Sequence, residues 1–93
     1  MKIYKYKLLR SDEILISKVK MPINRKPISV GEQDGSLVVW AEIDEFDKDF
    51  MDAVFLVIPT GFEVSPGGDM VFIGTVQMQN GYVLHVYWDK DWE

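Results

Sequence analysis

The chain has 93 residues, 47% of them hydrophobic and 27% charged, with a formal net charge of −5 and no cysteine. This profile fits one soluble domain over residues 1–93, and it excludes a disulfide framework, a Cys-based metal site and a thiol nucleophile. No stretch approaches the roughly 18 apolar residues needed to span a membrane, and the acidic balance argues against binding to a long nucleic acid.

Period-two alternation of apolar and polar residues, broken by turn residues, runs through the whole sequence and predicts a mainly β protein. The first run, Lys2 to Leu9, puts Tyr4, Tyr6 and Leu8 on one face and Lys5 and Lys7 on the other. Its alternation reads as a strand near an edge and not as a signal peptide. After the polar turn Arg10-Ser11-Asp12-Glu13 comes a short run, Ile14 to Val19. The segment Met21 to Pro27 contains two prolines and is expected to be an irregular crossing, because proline lacks the N–H of a central strand.

Two hairpins follow from dipeptides that accept positive φ. Asp34-Gly35 joins Ile28–Gln33 to Ser36–Ile43, and Asn80-Gly81 joins Met70–Gln79 to Tyr82–Trp88. A two-residue loop at the first sets Gln33 opposite Ser36, Gly31 opposite Val38 and Ser29 opposite Trp40. The same rule at the second sets Met78 opposite Val83, Val76 opposite His85, Thr75 opposite Val86 and Gly74 opposite Tyr87. Gly74 would then make room for an aromatic ring. Between the hairpins, Asp44–Phe50 has at most one short helical turn, and the apolar run Ala53–Ile58, ending at Pro59, reads as a central strand buried on both faces. Pro59-Thr60-Gly61 and Ser65 to Asp69 read as loops. The expected fold is a small antiparallel β-sandwich or barrel of six or seven strands with at most one short helical turn.

Residues 1–26 hold eight of the ten basic residues against two acids, whereas the remainder holds two basic residues against thirteen acids. Such asymmetry steers charged partners, or is satisfied internally where the first strands lie beside acidic ones.

Candidate chemistry is sparse. The single histidine, His85, sits mid-strand with no second His or Cys for a metal, and the predicted register gives it Val76, Gly74 and Tyr87 as neighbours, none able to make it a catalyst. The acidic stretch Glu42 to Asp52 lacks the glycine of an EF-hand loop and reads as a solvated loop or a protein-binding surface. The glycine pairs lack a following Lys-Ser/Thr for a phosphate cradle. Twelve aromatics leave room for stacking on a single nucleotide.

The segments Ile3-Tyr4-Lys5-Tyr6, Ile28 to Leu37 with Trp40-Ala41 and Asp44, and above all Phe72-Ile73-Gly74-Thr75-Val76-Gln77 with His85-Val86-Tyr87 resemble a family of small phage and prophage proteins catalogued as a domain of unknown function. The likeness covers essentially the full length. Thr60-Gly61 matches a Thr-Gly pair of that family, which there is preceded by Gly and followed by His-Pro; here Pro59 precedes it and Phe62-Glu63 follow, so a second histidine is missing. The tail Asp89 to Glu93 also extends past the family's usual ending. The resemblance implies a phage or prophage source and action on host machinery in the host cytoplasm, with no established catalytic residues.

The expected function is therefore that of a non-enzymatic accessory protein, without cofactor or metal, that binds and sequesters a small anionic nucleotide-like immune signal. Its expected site comprises Trp40, Thr60, Gly61, Thr75, His85 and Tyr87 for a ring and ribose, and Lys5 and Lys7 for phosphate, with a homodimer interface as its natural location. The alternative is an acidic inhibitor or adaptor docking onto a host protein through Glu42–Asp52 and the Asp89–Glu93 tail.

Overall fold

Seven strands and no helix make up the described residues, 1–8, 16–63 and 69–90, of the computed structural model. In chain order they are β1 (Lys2–Lys7), β2 (Ile16–Pro22), β3 (Arg25–Gln33), β4 (Ser36–Ile43), β5 (Phe50–Pro59), β6 (Met70–Gln77) and β7 (Val83–Asp89). They form two antiparallel sheets, one ordered β1-β4-β3 and the other β2-β5-β7-β6. The expected turn at Arg10–Glu13, Leu9 and Ile14, most of the Ser65–Asp69 loop and the tail 91–93 lie outside the described residues.

The two sheets share one core because alternate residues of each strand turn inward. Leu37, Val39, Ala41 and Ile43 of β4 meet Ala53, Phe55 and Val57 of β5 and Leu84 and Val86 of β7, with Leu8, Met21, Val76 and Met78 completing the cluster. Phe55 and Val86 are fully buried. The run Ala53–Ile58 belongs to an interior strand, as its composition predicts. Its second face carries Val54, Leu56 and Ile58 away from this core, and Val54 and Ile58 are nonetheless buried.

The Asp34-Gly35 hairpin has the expected register, Gln33 on Ser36, Gly31 on Val38 and Ser29 on Trp40. Both loop residues have positive φ, 50° and 80°, as a type I′ turn requires. A bulge between Pro27 and Ser29 then shifts the pairing.

The second hairpin departs from expectation by one residue. The Met78 N–H donates to the Tyr82 carbonyl at 2.7 Å and the Gly81 N–H to the Met78 carbonyl at 2.9 Å, so the loop has three residues, Gln79-Asn80-Gly81, with Gly81 at φ 93°. Val76 therefore pairs with Leu84, Thr75 with His85 and Gly74 with Val86. A further irregularity between Phe72 and Gly74 puts Phe72 opposite Tyr87, their ring centroids 5.3 Å apart. Gly74 faces the other sheet instead of an aromatic ring: a Cβ there would lie 3.0 Å from Val30 Cγ2. The glycine lets β3 and β6 approach across the core.

Of two further expectations, the first is corrected and the second, at most one short helical turn, holds. Met21–Pro27 is not an irregular crossing, since β2 runs through Pro22 and β3 begins at Arg25 around a turn at Ile23-Asn24; Pro22 closes its strand and Pro27 sits beside the bulge, where a missing N–H is tolerated. Asp44–Phe50 forms a tight turn and no helix. The Asp44 carboxylate accepts the Phe46 N–H at 3.0 Å, and Asp47 accepts the Asn24 backbone N–H at 2.8 Å and its side-chain amide at 3.2 Å. Those carboxylates tie the loop to the β2–β3 turn.

The charge asymmetry is met partly within the fold. Lys2 bridges Glu45 at 2.8 Å, which raises the lysine pKa through the hydrogen bond and the charge of Glu45, and Lys20 and Lys26 stand opposite Asp52 and Glu42 in the ladders.

Candidate functional site

Residues directly opposite in a ladder share a face, so the register defines what the outer surface of the β2-β5-β7-β6 sheet presents. One row crosses all four strands: Ile16, Leu56, Tyr87 and Phe72. The next row toward the Asp89 end is Lys18, Val54, Asp89 and Met70, and on the other side lie Ile58, His85 and Thr75. Ile16 and Phe72 are about half exposed, at 49% and 53%. This is an apolar band with polar residues at its flanks, on the surface and not in the core.

A groove of about 290 Å³ opens in that face, lined on the β5 side by Leu56, Ile58 and the Pro59–Phe62 turn and on the other by His85, Tyr87 and Met70. The turn is positioned by two hydrogen bonds, from the Thr60 N–H to the Val83 carbonyl at 3.1 Å and from the Phe62 N–H to the Pro59 carbonyl at 3.2 Å. Gly61, at φ 93°, allows this bend and contributes backbone, not a side chain, to the groove wall.

His85 is the fixed polar element. Its Nε2 lies 2.7 Å from Thr60 Oγ1 and its Nδ1 2.9 Å from Thr75 Oγ1. In the neutral ring one nitrogen donates to a hydroxyl and the other accepts from the second hydroxyl. Thr60 Oγ1 also donates to the Val83 carbonyl at 3.5 Å, which fits a ring that donates from Nε2 to Thr60 and accepts at Nδ1 from Thr75. The two hydroxyl oxygens then offer a ligand acceptor lone pairs in fixed positions. Neither ring nitrogen is left unengaged to act as a base without first breaking a hydrogen bond.

Of the residues expected to form one site, Thr60, Gly61, Thr75, His85 and Tyr87 are brought together on this face. Trp40, Lys5 and Lys7 are not. Lys5 stands opposite Trp40 and Lys7 opposite Val38, on the outer face of the β1-β4-β3 sheet, whereas their β4 neighbours Val39 and Ala41 point into the core. The two groups therefore lie on opposite sides of the sandwich. Trp40 lies over Gly31, and Lys5 Nζ donates to Gln33 Oε1 across that separate surface. His85 also has different neighbours from those expected: Thr75 replaces Val76 as its cross-strand partner on β6, because of the one-residue shift at the loop.

Sequence reasoning missed Leu56, Ile58, Pro59, Phe62, Met70 and Phe72 as parts of the groove and its surroundings. The available signal was the apolar character of Ala53–Ile58 on both faces: one face builds the shared core and the other builds this surface. Among the described residues no group of three or more His, Cys, Asp or Glu is placed to hold a metal ion.

Comparison with known proteins matches residues 1–93 to the family described as Domain of unknown function (DUF7352). The chain belongs to that family. No curated protein and no solved structure matches it.

Proposed function

We propose that this chain is a non-enzymatic accessory protein that binds a small anionic, nucleotide-like ligand in the groove beside His85 and withholds it from host signalling. The observation that carries this reading is the clamp on the imidazole: Thr60 and Thr75 hold both ring nitrogens at the wall of an otherwise largely apolar groove. Sites for small ligands combine apolar walls with a few fixed polar groups, and their volumes begin near 300 Å³. Tyr87 and Phe62 supply ring surface, and the threonine hydroxyls suit the polar edge of a base or a ribose. Lys5 and Lys7, the cations expected to meet a phosphate, belong to the opposite side of the sandwich.

A phage origin and a place in the host cytoplasm are part of the proposal, supported by the likeness of Phe72–Gln77 and His85–Tyr87 to small phage and prophage proteins. The acidic surface is a less favoured route to function, since Asp44 and Asp47 are engaged in building their own loop and Glu45 bridges Lys2.

Differential scanning fluorimetry against cyclic nucleotides, nucleoside phosphates and ADP-ribose derivatives tests the reading. Saturation of a tight site stabilises by a few kcal/mol and gives a clear rise in Tm with at least one probe. No shift with any probe at high concentration would overturn it.

A further inference from the structure

Resting on the groove reading above, we infer that the groove selects a base with an exocyclic amino group, as adenine has, and that Thr60 is the residue that makes the selection.

The hydrogen-bond polarity of Thr60 follows from its two neighbours. Its Oγ1 lies 2.7 Å from His85 Nε2 and 3.5 Å from the Val83 carbonyl. With Nε2 unprotonated, the Thr60 hydroxyl donates to the ring. With the proton on Nε2, the hydroxyl accepts from the ring and turns its own O–H to Val83. In both tautomers of the neutral imidazole the Thr60 proton is engaged within the protein, and the oxygen keeps a lone pair for a ligand. The Thr60 N–H donates to the same Val83 carbonyl at 3.1 Å, so backbone and side chain together fix where that oxygen sits.

The other polar atoms of the groove do not make this choice. Both nitrogens of His85 are engaged by threonines, the Pro59 carbonyl accepts the Phe62 N–H at 3.2 Å, and the Tyr87 hydroxyl rotates to donate or accept as a ligand requires. Thr60 Oγ1 is thus a fixed acceptor in a wall otherwise built from apolar groups such as Leu56, Ile58 and Met70.

An acceptor in such a wall pairs with an N–H and opposes an oxygen without a proton. A carbonyl or phosphate oxygen placed there would leave two sets of lone pairs facing each other with water displaced, whereas an amino group satisfies the threonine and itself. A groove of about 290 Å³ stands at the small end of ligand sites, which suits a base and leaves ribose and phosphate to project from its open side. The phosphate therefore lies away from Thr60, and the base enters with its amino edge toward His85.

Isothermal titration calorimetry with two probes tests this: adenosine 5′-monophosphate, and purine riboside 5′-monophosphate, in which hydrogen replaces the amino group. The wild type should bind the first about five- to tenfold more tightly, the value of one neutral hydrogen bond. Thr60→Val, which removes the hydroxyl at nearly constant size, should bind the two alike, and Thr60→Ser should keep the preference. Thr60 is exposed on its turn, so these variants fold; Thr60→Ala removes the hydroxyl without adding an apolar branch and should agree with Thr60→Val. Equal affinities in the wild type, or a preference that survives both Thr60→Val and Thr60→Ala, would overturn the inference and leave the groove reading standing. So would failure of both probes to bind while another nucleotide raises Tm. No response to any nucleotide overturns both.

Discussion

Thr60 and Thr75, on a turn after β5 and on β6, reach the same imidazole from opposite sides, at 2.7 and 2.9 Å from the two ring nitrogens of His85. Three segments distant in sequence are thus joined through one side chain on the sheet surface. Since both contacts are solvent-accessible, they contribute little to folding and much to the orientation of the ring. His85→Ala should cost about 1 kcal/mol or less in chemical denaturation, while a nucleotide-like probe loses at least tenfold in affinity. A loss of several kcal/mol with binding per folded molecule unchanged would make His85 a structural residue.

Gly74 and Val30 determine how closely β6 and β3 approach. Gly74→Ala inserts a methyl 3.0 Å from Val30 Cγ2 and should destabilise by about 1–3 kcal/mol, as overpacking does. Val30→Ala makes room for it, so the double variant should be more stable than the sum of the two single losses predicts. Additive losses in a double-mutant cycle would show that this contact does not set the spacing.

The loop of the second hairpin places its left-handed residue at Gly81. Gly81→Ala should cost about 1–2 kcal/mol, because φ 93° is unfavourable for a residue with a Cβ. Asn80→Ala should cost clearly less, for Asn80 has no positive φ to lose; its side chain accepts the Tyr82 N–H at 3.0 Å. Equal losses by urea denaturation would favour a two-residue turn with both residues left-handed.

That loop also shows where sequence reading reached its limit. Asp34-Gly35 and Asn80-Gly81 carry the same signature, yet the first is a two-residue loop and the second the end of a three-residue one. The dipeptide marks a turn without fixing the number of residues in it. The strand pattern held the missing information: a two-residue loop pairs Thr75 with Val86 and Val76 with His85, polar against apolar, whereas the observed register pairs Val76 with Leu84 and Thr75 with His85. The strand content and the first register were legible because alternation and turn chemistry are local. The division of the site residues was not, since nothing local says that β4 joins β1 and β3 while β7 joins β5 and β6. Sequence reading therefore groups Trp40 and Lys5 with His85, although they lie on opposite sides of the sandwich.

Phe55 and Phe72 contrast the two environments on the same sheet. Phe55→Ala should cost about 3–5 kcal/mol, as it empties a fully buried position in the shared core. Phe72→Ala should cost under about 1 kcal/mol, since its ring is half exposed against Tyr87. A comparable loss at both positions would mean that the outer face is held as firmly as the core.

A nuclear magnetic resonance titration with the best probe from the nucleotide panel reads out whether the outer face of the β2-β5-β7-β6 sheet is the binding surface. Binding there gives saturable shifts at Thr60, Gly61, Met70, Thr75, His85 and Tyr87, with Lys5, Trp40 and Gln33 unmoved. Saturable shifts centred on Trp40 and Lys5, with the His85 face silent, would contradict it.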